Sequence, residues 1–289
     1  MSPTQSDRDE RPVVWLDIDN TLYPASAGIA KAMGEKIHGK STNSAFVDLT
    51  RSPMKEYFFE NSIGVYPEEL AQLSETESVK LRHQRAGDFH RKYYALHGLA
   101  LRGLVLHHNI DAMDFDQKCD QSLRLEDMIK PDPTVIRLLE DIDRSKYRIW
   151  GLTNAYTYHA ERVLDILQLR RFCEGVVYCD YAKAGKDLKD LICKPDPGFY
   201  HNALEQANVT DPSTCYFIDD NRRNIDAAKD LGWGHCVHLH ETHPGNSDGA
   251  QSVVEQIGGT REPGASDNDV VVISNIQQLR SVWPEIFKQ

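Results

Sequence analysis

The sequence predicts an α/β protein: a parallel sheet with helices on both faces, carrying a helical segment inserted after the first strand. Two observations support this. From Pro131 onward short apolar runs alternate with amphipathic stretches, the pattern of strand and helix units that build a parallel sheet. One further apolar run, starting at Val13, stands apart near the beginning, separated from the alternating region by residues 25–128, which hold no convincing strand.

In order along the chain, residues 1–11 are polar and are expected to be disordered. Val13 to Asp17 then reads as a buried strand that ends in acids. Within residues 25–128, Phe89, Tyr93 and Leu96, then Leu101, Leu104 and Val105, recur at helical spacing, and Leu70, Leu73 and Leu81 continue the pattern less clearly. This segment is read as an inserted helical domain, and residues 12–24 together with 129–289 as the α/β core. Pro133 to Arg144 reads as a helix that Asp132 can cap, and Tyr147 to Leu152 as a strand. Helix Tyr156 to Leu169, strand Gly175 to Cys179, helix Pro197 to Ala207, strand Cys215 to Ile218, helix Arg223 to Leu231 and strand Cys236 to Leu239 follow. Residues 241–268, rich in Gly, Ser, Asp, Asn and Pro, are expected to form a mobile surface loop. Val270 to Ile273 supplies a last strand, and Ile276 to Phe287 a terminal helix interrupted by Pro284.

The 289 residues suffice for one large or two modest domains. With 44 acidic against 33 basic side chains, the net charge of -11 disfavours nucleic-acid polymers and anionic membranes as partners. A small anionic ligand stays compatible if the site supplies its own cation. The six cysteines form no CxxC pair and read as reduced thiols of an intracellular protein. An apolar signal region is missing from the polar start, and no stretch is long and apolar enough to span a bilayer, so a cytoplasmic or nuclear location is expected. Oligomeric state is not legible.

Four motifs stand at strand ends. The first, Asp17-Ile18-Asp19-Asn20-Thr21, carries two acids to the rim of the core; a helix cap at Asp19 or Asn20 is the plain alternative. The second, Leu152-Thr153-Asn154-Ala155, ends a strand in a hydroxyl and an amide before a helix, a setting that suits a phosphate or an ordinary cap. In the third, Cys193-Lys194-Pro195-Asp196-Pro197, a lysine on a stiffened segment can set a positive charge on an oxyanion, although most lysines are merely solvated. The fourth, Ile218-Asp219-Asp220-Asn221, again delivers paired carboxylates, hard ligands that at a phosphate site suit Mg²⁺. No His or Cys cluster has zinc spacing, and His107-His108 reads as helix surface or as lining of the helical segment. In an open parallel sheet all four motifs converge outside the carboxyl ends of the strands, where strand order reverses.

Together these motifs resemble the haloacid dehalogenase superfamily of phosphohydrolases, and the resemblance covers nearly the whole core. It implies a Rossmann-like core with the family's cap of the first type between the first and second motifs. A closer resemblance is to the fungal pyrimidine 5'-nucleotidase group, which includes a yeast-type enzyme acting on pyrimidine nucleotides and nicotinamide mononucleotide. It rests on Asp17 to Tyr23, Tyr94 to Val105, Thr153 to Tyr156, Tyr178 to Tyr181 and Cys193 to Pro195. The group also contains a lysophosphatidic acid phosphatase relative. Two departures are visible: Asn20 stands where many members carry Gly, and residues 241–268 are longer than the group needs.

The resemblance implies a role for each motif. Asp17 attacks phosphorus and Asp19 protonates the leaving 5'-oxygen, then deprotonates water. Asp17, the Asp19 backbone carbonyl and Asp219 hold Mg²⁺, with Asp220 or Asn224 helping through water. Thr153, Asn154, Lys194 and Asn20 bind the phosphoryl group. A base-binding role for Tyr23, Arg102 or residues around His97 is the weaker reading, since aromatics at helical spacing are more often core, and these stand outside the site set. Two other readings share the fold. A dehalogenase has no need of an acid at Asp19 or of paired Asp219 and Asp220, and a catalytically idle phosphoryl-binding module has no need of all four motifs intact. Nucleotides, sugar phosphates and lysophospholipids all satisfy the chemistry.

Overall fold

A computed structural model describes residues 9–37, 67–108, 110–184, 191–241 and 270–289. Six parallel strands form its sheet: β1 (Val13–Leu16), β2 (Arg148–Leu152), β3 (Gly175–Val177), β4 (Tyr216–Asp219), β5 (His235–Leu239) and β6 (Val271–Ile273), in the order β3-β2-β1-β4-β5-β6. Successive strands run outward from β1 on one side and from β4 on the other, so the order reverses between these two central strands. The crevice above their carboxyl ends is where such sheets bind ligands.

The strands read as unbroken apolar runs because both faces of the sheet are covered. Val14, Leu16, Ile149, Ile218 and Val237 point into one core cluster, whereas Val13, Trp15, Leu152, Phe217 and Cys236 point into another. The first layer contains α7 (Pro133–Asp141) and α8 (Thr157–Ile166), through Val135, Leu138, Ala160 and Val163. On the opposite face lie α9 (Pro197–Gln206) and α10 (Arg222–Asp230), through Phe199, Ala203, Ile225 and Ala228. All six cysteines are buried and none forms a disulfide.

Some element ends differ from expectation for local reasons. The helix expected to reach Arg144 stops at Asp141, because Ile142 turns extended and bridges to Phe287 while the Asp143 side chain organises the next turn. The terminal helix is broken into the short turns Ile276–Gln278, Leu279–Val282 and Pro284–Ile286, since Pro284 cannot donate a backbone hydrogen bond. Of the polar start, Asp9 to Arg11 are ordered: Arg11 pairs with Asp9 and Glu174. The expected loop lies, apart from Glu241, outside the described residues.

Between β1 and α7 the regular elements among the described residues are all helical, chiefly α1 (Ile29–Ile37), α2 (Pro67–Leu70), α3 (Glu75–His97), α4 (Ala100–His108), α5 (Ala112–Phe115), a π-type turn (Asp116–Asp120) and α6 (Leu125–Met128). Ser74 and Glu77 close a reciprocal capping box at the start of α3. At its other end Gly98 (φ 73°) turns the chain back, and α4 packs so closely on α3 that the Tyr93 ring fills the space where Gly103 lacks a side chain. Tyr93, Leu101 and Leu104 then form a cluster with Cys179 and Cys193 from beyond β2. Leu96, expected to be buried, is 61% exposed, whereas Tyr93 is buried as expected and Tyr94 is half-buried. Ile29, Leu123 and Leu125, at the two ends of the segment, pack into the main core. Among the described residues no helix is long and apolar enough to cross a membrane.

Candidate active site

Asp17 follows β1 directly, and its backbone N–H donates to the Ile218 carbonyl at 3.1 Å, extending the ladder to β4 by one step. Its carboxylate is therefore fixed at the strand-order reversal. Oδ1 accepts from Lys194 Nζ at 2.6 Å and Oδ2 from Thr21 Oγ1 at 2.8 Å. The turn that returns Thr21 to this position passes through Asn20 at φ 59°, a left-handed conformation that Gly or Asn adopts most readily. This accounts for an Asn where Gly is frequent.

Asp219 ends β4 and is fully buried. Lys194 Nζ reaches its Oδ2 at 2.7 Å, Asn224 Nδ2 reaches both oxygens at 3.0 and 3.1 Å, and the Asn221 backbone N–H reaches Oδ1 at 2.8 Å. The third contact of Lys194 Nζ is the Leu152 carbonyl at the end of β2. An ammonium has three donors, and here two carboxylates and one carbonyl take all of them. Burial pushes the Lys194 amine toward neutrality, but Asp17 and Asp219 outweigh it and hold the lysine charged.

Ligand atoms of Asp17, Asp219 and Asp220 lie within 4.8 Å of one another. Burial, partly offset by Lys194 and reinforced by Asp219 and Asp19, lifts the Asp17 carboxyl to about 7. Burial, then the charges of Asp17 and Asp219, raises Asp220 well above the usual carboxylate range. Three carboxylates thus face one ammonium, an excess of negative charge that suits a divalent cation held by hard oxygen ligands.

The Asp19 side chain stands outside that cluster. Its Oδ1 accepts from Tyr23 OH at 2.6 Å and from His159 Nε2 at 2.9 Å, and Thr153 Oγ1 approaches Oδ2 at 3.4 Å. Burial would raise its carboxyl, but His159 and Tyr23 prevail and keep it below the usual value.

The Asn154 side chain is engaged on the backbone of Lys194. Its Nδ2 donates to the Lys194 carbonyl at 2.9 Å while its Oδ1 accepts from the Lys194 backbone N–H at 2.7 Å. The expected phosphate-binding amide is therefore a two-point clamp on the lysine-bearing loop. Likewise α8 starts at Thr157, beyond Asn154, so the helix opening does not coincide with Thr153, whose Oγ1 accepts from the Ala155 backbone N–H at 3.0 Å. Asn20 is half-buried at the turn, and Asn224 reaches Asp219 directly.

Residues 12–232 match the model of a hydrolase family described as haloacid dehalogenase-like hydrolase. The chain belongs to the haloacid dehalogenase-like hydrolase family. It is similar to Phosphate metabolism protein 8 of Saccharomyces cerevisiae (strain ATCC 204508 / S288c), with 30% identity over 238 residues, 81% of this chain and 63% of that protein. The alignment thus spans less than two thirds of the yeast relative's length. A crystal structure of a haloacid dehalogenase (HAD) phosphatase from Thermococcus onnurineus superimposes with a TM-score of 0.52 at 17% identity, covering 94% of this chain and 97% of that one; it shares the fold.

In this member of the family the helical segment reaches the site at two loops. Tyr94 OH accepts from Asn221 Nδ2 at 3.3 Å, Arg223 donates to the Ala95 carbonyl at 2.7 Å, and burial with the nearby charges of Asp220 and Asp219 raises the Tyr94 phenol. At Gly98 an added Cβ would lie 2.5 Å from the Lys194 carbonyl oxygen and 2.8 Å from Pro195 Cδ. Gly98→Ala therefore combines a left-handed backbone with a collision against the lysine loop. It is expected to destabilise the protein by about 2–3 kcal/mol, read as a lowered midpoint in urea unfolding. An unchanged midpoint would show that the hairpin does not bear on this loop.

Sequence reasoning gave no role to Thr21, though it lies in the first motif, and missed three further residues of the site: Tyr94, Asp120 and His159. Of these three, His159 alone carried a signal, as a histidine on the apolar face of α8, in its first turn and in line with Val163.

Proposed function

We propose that the chain is a Mg²⁺-dependent phosphomonoesterase that hydrolyses nucleoside 5'-monophosphates, with pyrimidine nucleotides such as UMP and CMP preferred and nicotinamide mononucleotide also accepted. The observation that carries this reading is the fixed Asp17 carboxylate between Lys194 and Thr21, beside Asp219 and Asp220. A nucleophile needs this setting: anchored, aimed from a strand end and surrounded by groups that tolerate charge.

Asp17, Asp219 and Asp220, with the Asp19 backbone carbonyl, are the residues that would hold Mg²⁺. Bound there, the ion supplies positive charge for the phosphoryl oxygens and keeps Asp17 ionised. The chain's own residues do the rest. An oxygen of Asp17 forms a bond to phosphorus as the bond to the 5'-oxygen breaks, and Asp19, low at rest but raised by the negative charge of the bound phosphoryl group, gives that oxygen the proton it takes up with the substrate. Water then attacks the aspartyl phosphate, Asp19 takes the water's proton, and Asp17 is released with inorganic phosphate. The charge of Lys194, whose donors are already engaged, the Thr153 hydroxyl and the backbone around Asn20 and Asn154 stabilise the transferring group. Asn154 keeps Lys194 in place. Specificity falls to the helical segment, with Tyr94 and Arg102 as candidate contacts.

The test is kcat/KM for phosphate release from UMP, CMP, nicotinamide mononucleotide, AMP, a sugar phosphate and lysophosphatidic acid. UMP and CMP are expected to lead. No preference for them over AMP removes the pyrimidine reading, and a lead by lysophosphatidic acid or the sugar phosphate moves the assignment to that ester. Chelation of divalent cations is expected to stop release from every substrate and added Mg²⁺ to restore it; activity that persists under chelation counts against the metal assignment.

A further inference from the structure

Asp19 is held more elaborately than a proton donor needs merely to be present. Its Oδ1 accepts from both Tyr23 and His159, which uses both lone pairs of that oxygen. Oδ2 has only the long 3.4 Å approach of Thr153 and so retains the capacity to carry or accept a proton. Behind the imidazole stands a second carboxylate: His159 Nδ1 lies 2.6 Å from Asp120 Oδ1. The burial is graded, since the side chains of His159 and Asp120 are almost completely enclosed while that of Asp19 keeps 29% of its surface. The tether is inside and its free end faces the crevice.

Each member comes from a different part of the chain. Asp19 and Tyr23 belong to the turn after β1, His159 to the first half of α8, and Asp120 to the π-type turn that ends near α6. Both ring nitrogens face carboxylate oxygens, so the ring can neither flip nor rotate without breaking a buried charge-assisted bond. Two carboxylates on one buried imidazole, Asp120 enclosed and Asp19 at the crevice, are more than a bridge between elements requires. One of the two is the acid of the proposed reaction.

We propose that His159, gripped by Asp120, is a positioning residue that holds Asp19 by one oxygen so that the other is presented to the departing oxygen of the substrate. This rests on the phosphatase reading and adds to it an element that acts on a single step. Proton donation matters in proportion to how poor the leaving group is, because a phenol activated by a nitro group departs without help whereas an alkoxide does not. A misplaced Asp19 thus slows a nucleotide and spares an activated aryl ester. A His159 that merely braces the fold affects both alike.

The experiment compares kcat/KM, which covers the steps up to loss of the leaving group, for p-nitrophenyl phosphate, phenyl phosphate and UMP. His159→Leu is expected to lower kcat/KM for UMP and phenyl phosphate by about 30-fold or more while lowering that for p-nitrophenyl phosphate by less than about 3-fold. His159→Gln, which retains a donor toward Asp19, is expected to recover much of the loss. Asp120→Asn, which loosens the grip from behind, is expected to show the same selectivity in milder form, and these two variants carry the comparison if His159→Leu does not fold. Equal loss on all three substrates, or no loss on UMP and phenyl phosphate, overturns the proposal. A wild-type protein that releases phosphate from none of them overturns the phosphatase reading as well. One that turns over only the aryl esters removes the nucleotide and leaves the test standing on the aryl pair.

Discussion

Asp17→Asn is expected to reduce phosphate release by on the order of 10⁴-fold or more, the scale on which enzymes lose activity with their nucleophile, and to leave the fold intact. An amide oxygen can still accept from Lys194 Nζ, and the Thr21 hydroxyl can rotate to accept from the new amide group. Loss of one charge also eases the crowding among Asp17, Asp219 and Asp220. These effects oppose the weakening of the Lys194 pair, so the unfolding free energy should move by no more than about 1 kcal/mol either way. A phosphate-release assay beside a urea unfolding curve reads both quantities. An Asp17→Asn protein of full activity would sink the aspartyl-phosphate mechanism.

Lys194→Met should do the reverse damage to stability. A side chain of similar length and no charge leaves Asp17 and Asp219 facing each other without their shared cation, and leaves the Leu152 carbonyl without its donor. Removal of one partner from a buried ion pair costs about 3–5 kcal/mol, and urea unfolding of this variant should show a loss in that range. Activity should fall by about 10³-fold. Lys194→Arg is expected to rescue neither, because a planar fork cannot occupy an enclosed site shaped for three divergent donors. A Lys194→Met protein as stable as the parent would mean that the two acids bury themselves uncharged without cost.

The sheet was legible because its central strands are covered on both faces: Val13 to Leu16 and Tyr216 to Ile218 read as strands without any alternation. Asp17 and Asp219 were legible from the abrupt switch to acid at the ends of those runs. Lys194 took its meaning only from the company of the other motifs. What stayed hidden was direction. Thr153 and Asn154 are adjacent polar residues after one strand, and nothing in their types says that one amide clamps the Lys194 backbone. At the end of α3 helical periodicity selected Leu96, which is exposed, whereas the half-buried Tyr94 two residues earlier meets the loop after Asp219, because loops of the core rather than the helix's own repeat decide which face is covered there. His159 sits where an apolar residue would complete the face of α8, and its two carboxylate partners come from positions 140 and 39 residues away. No local pattern records such a meeting.

Gly98 leaves no room for a side chain against the Lys194–Pro195 segment, and Tyr94 and Ala95 are bonded to the loop and helix that follow Asp219. The helices that would choose the substrate therefore lean on the loops that would perform the chemistry. In engineering terms the insert is not a plug-in part. A chimaera that takes its helices from another member of the family inherits mismatched supports beneath Lys194 and Asn221, so new selectivity would have to be built by changing side chains within the existing hairpin rather than by exchanging it whole.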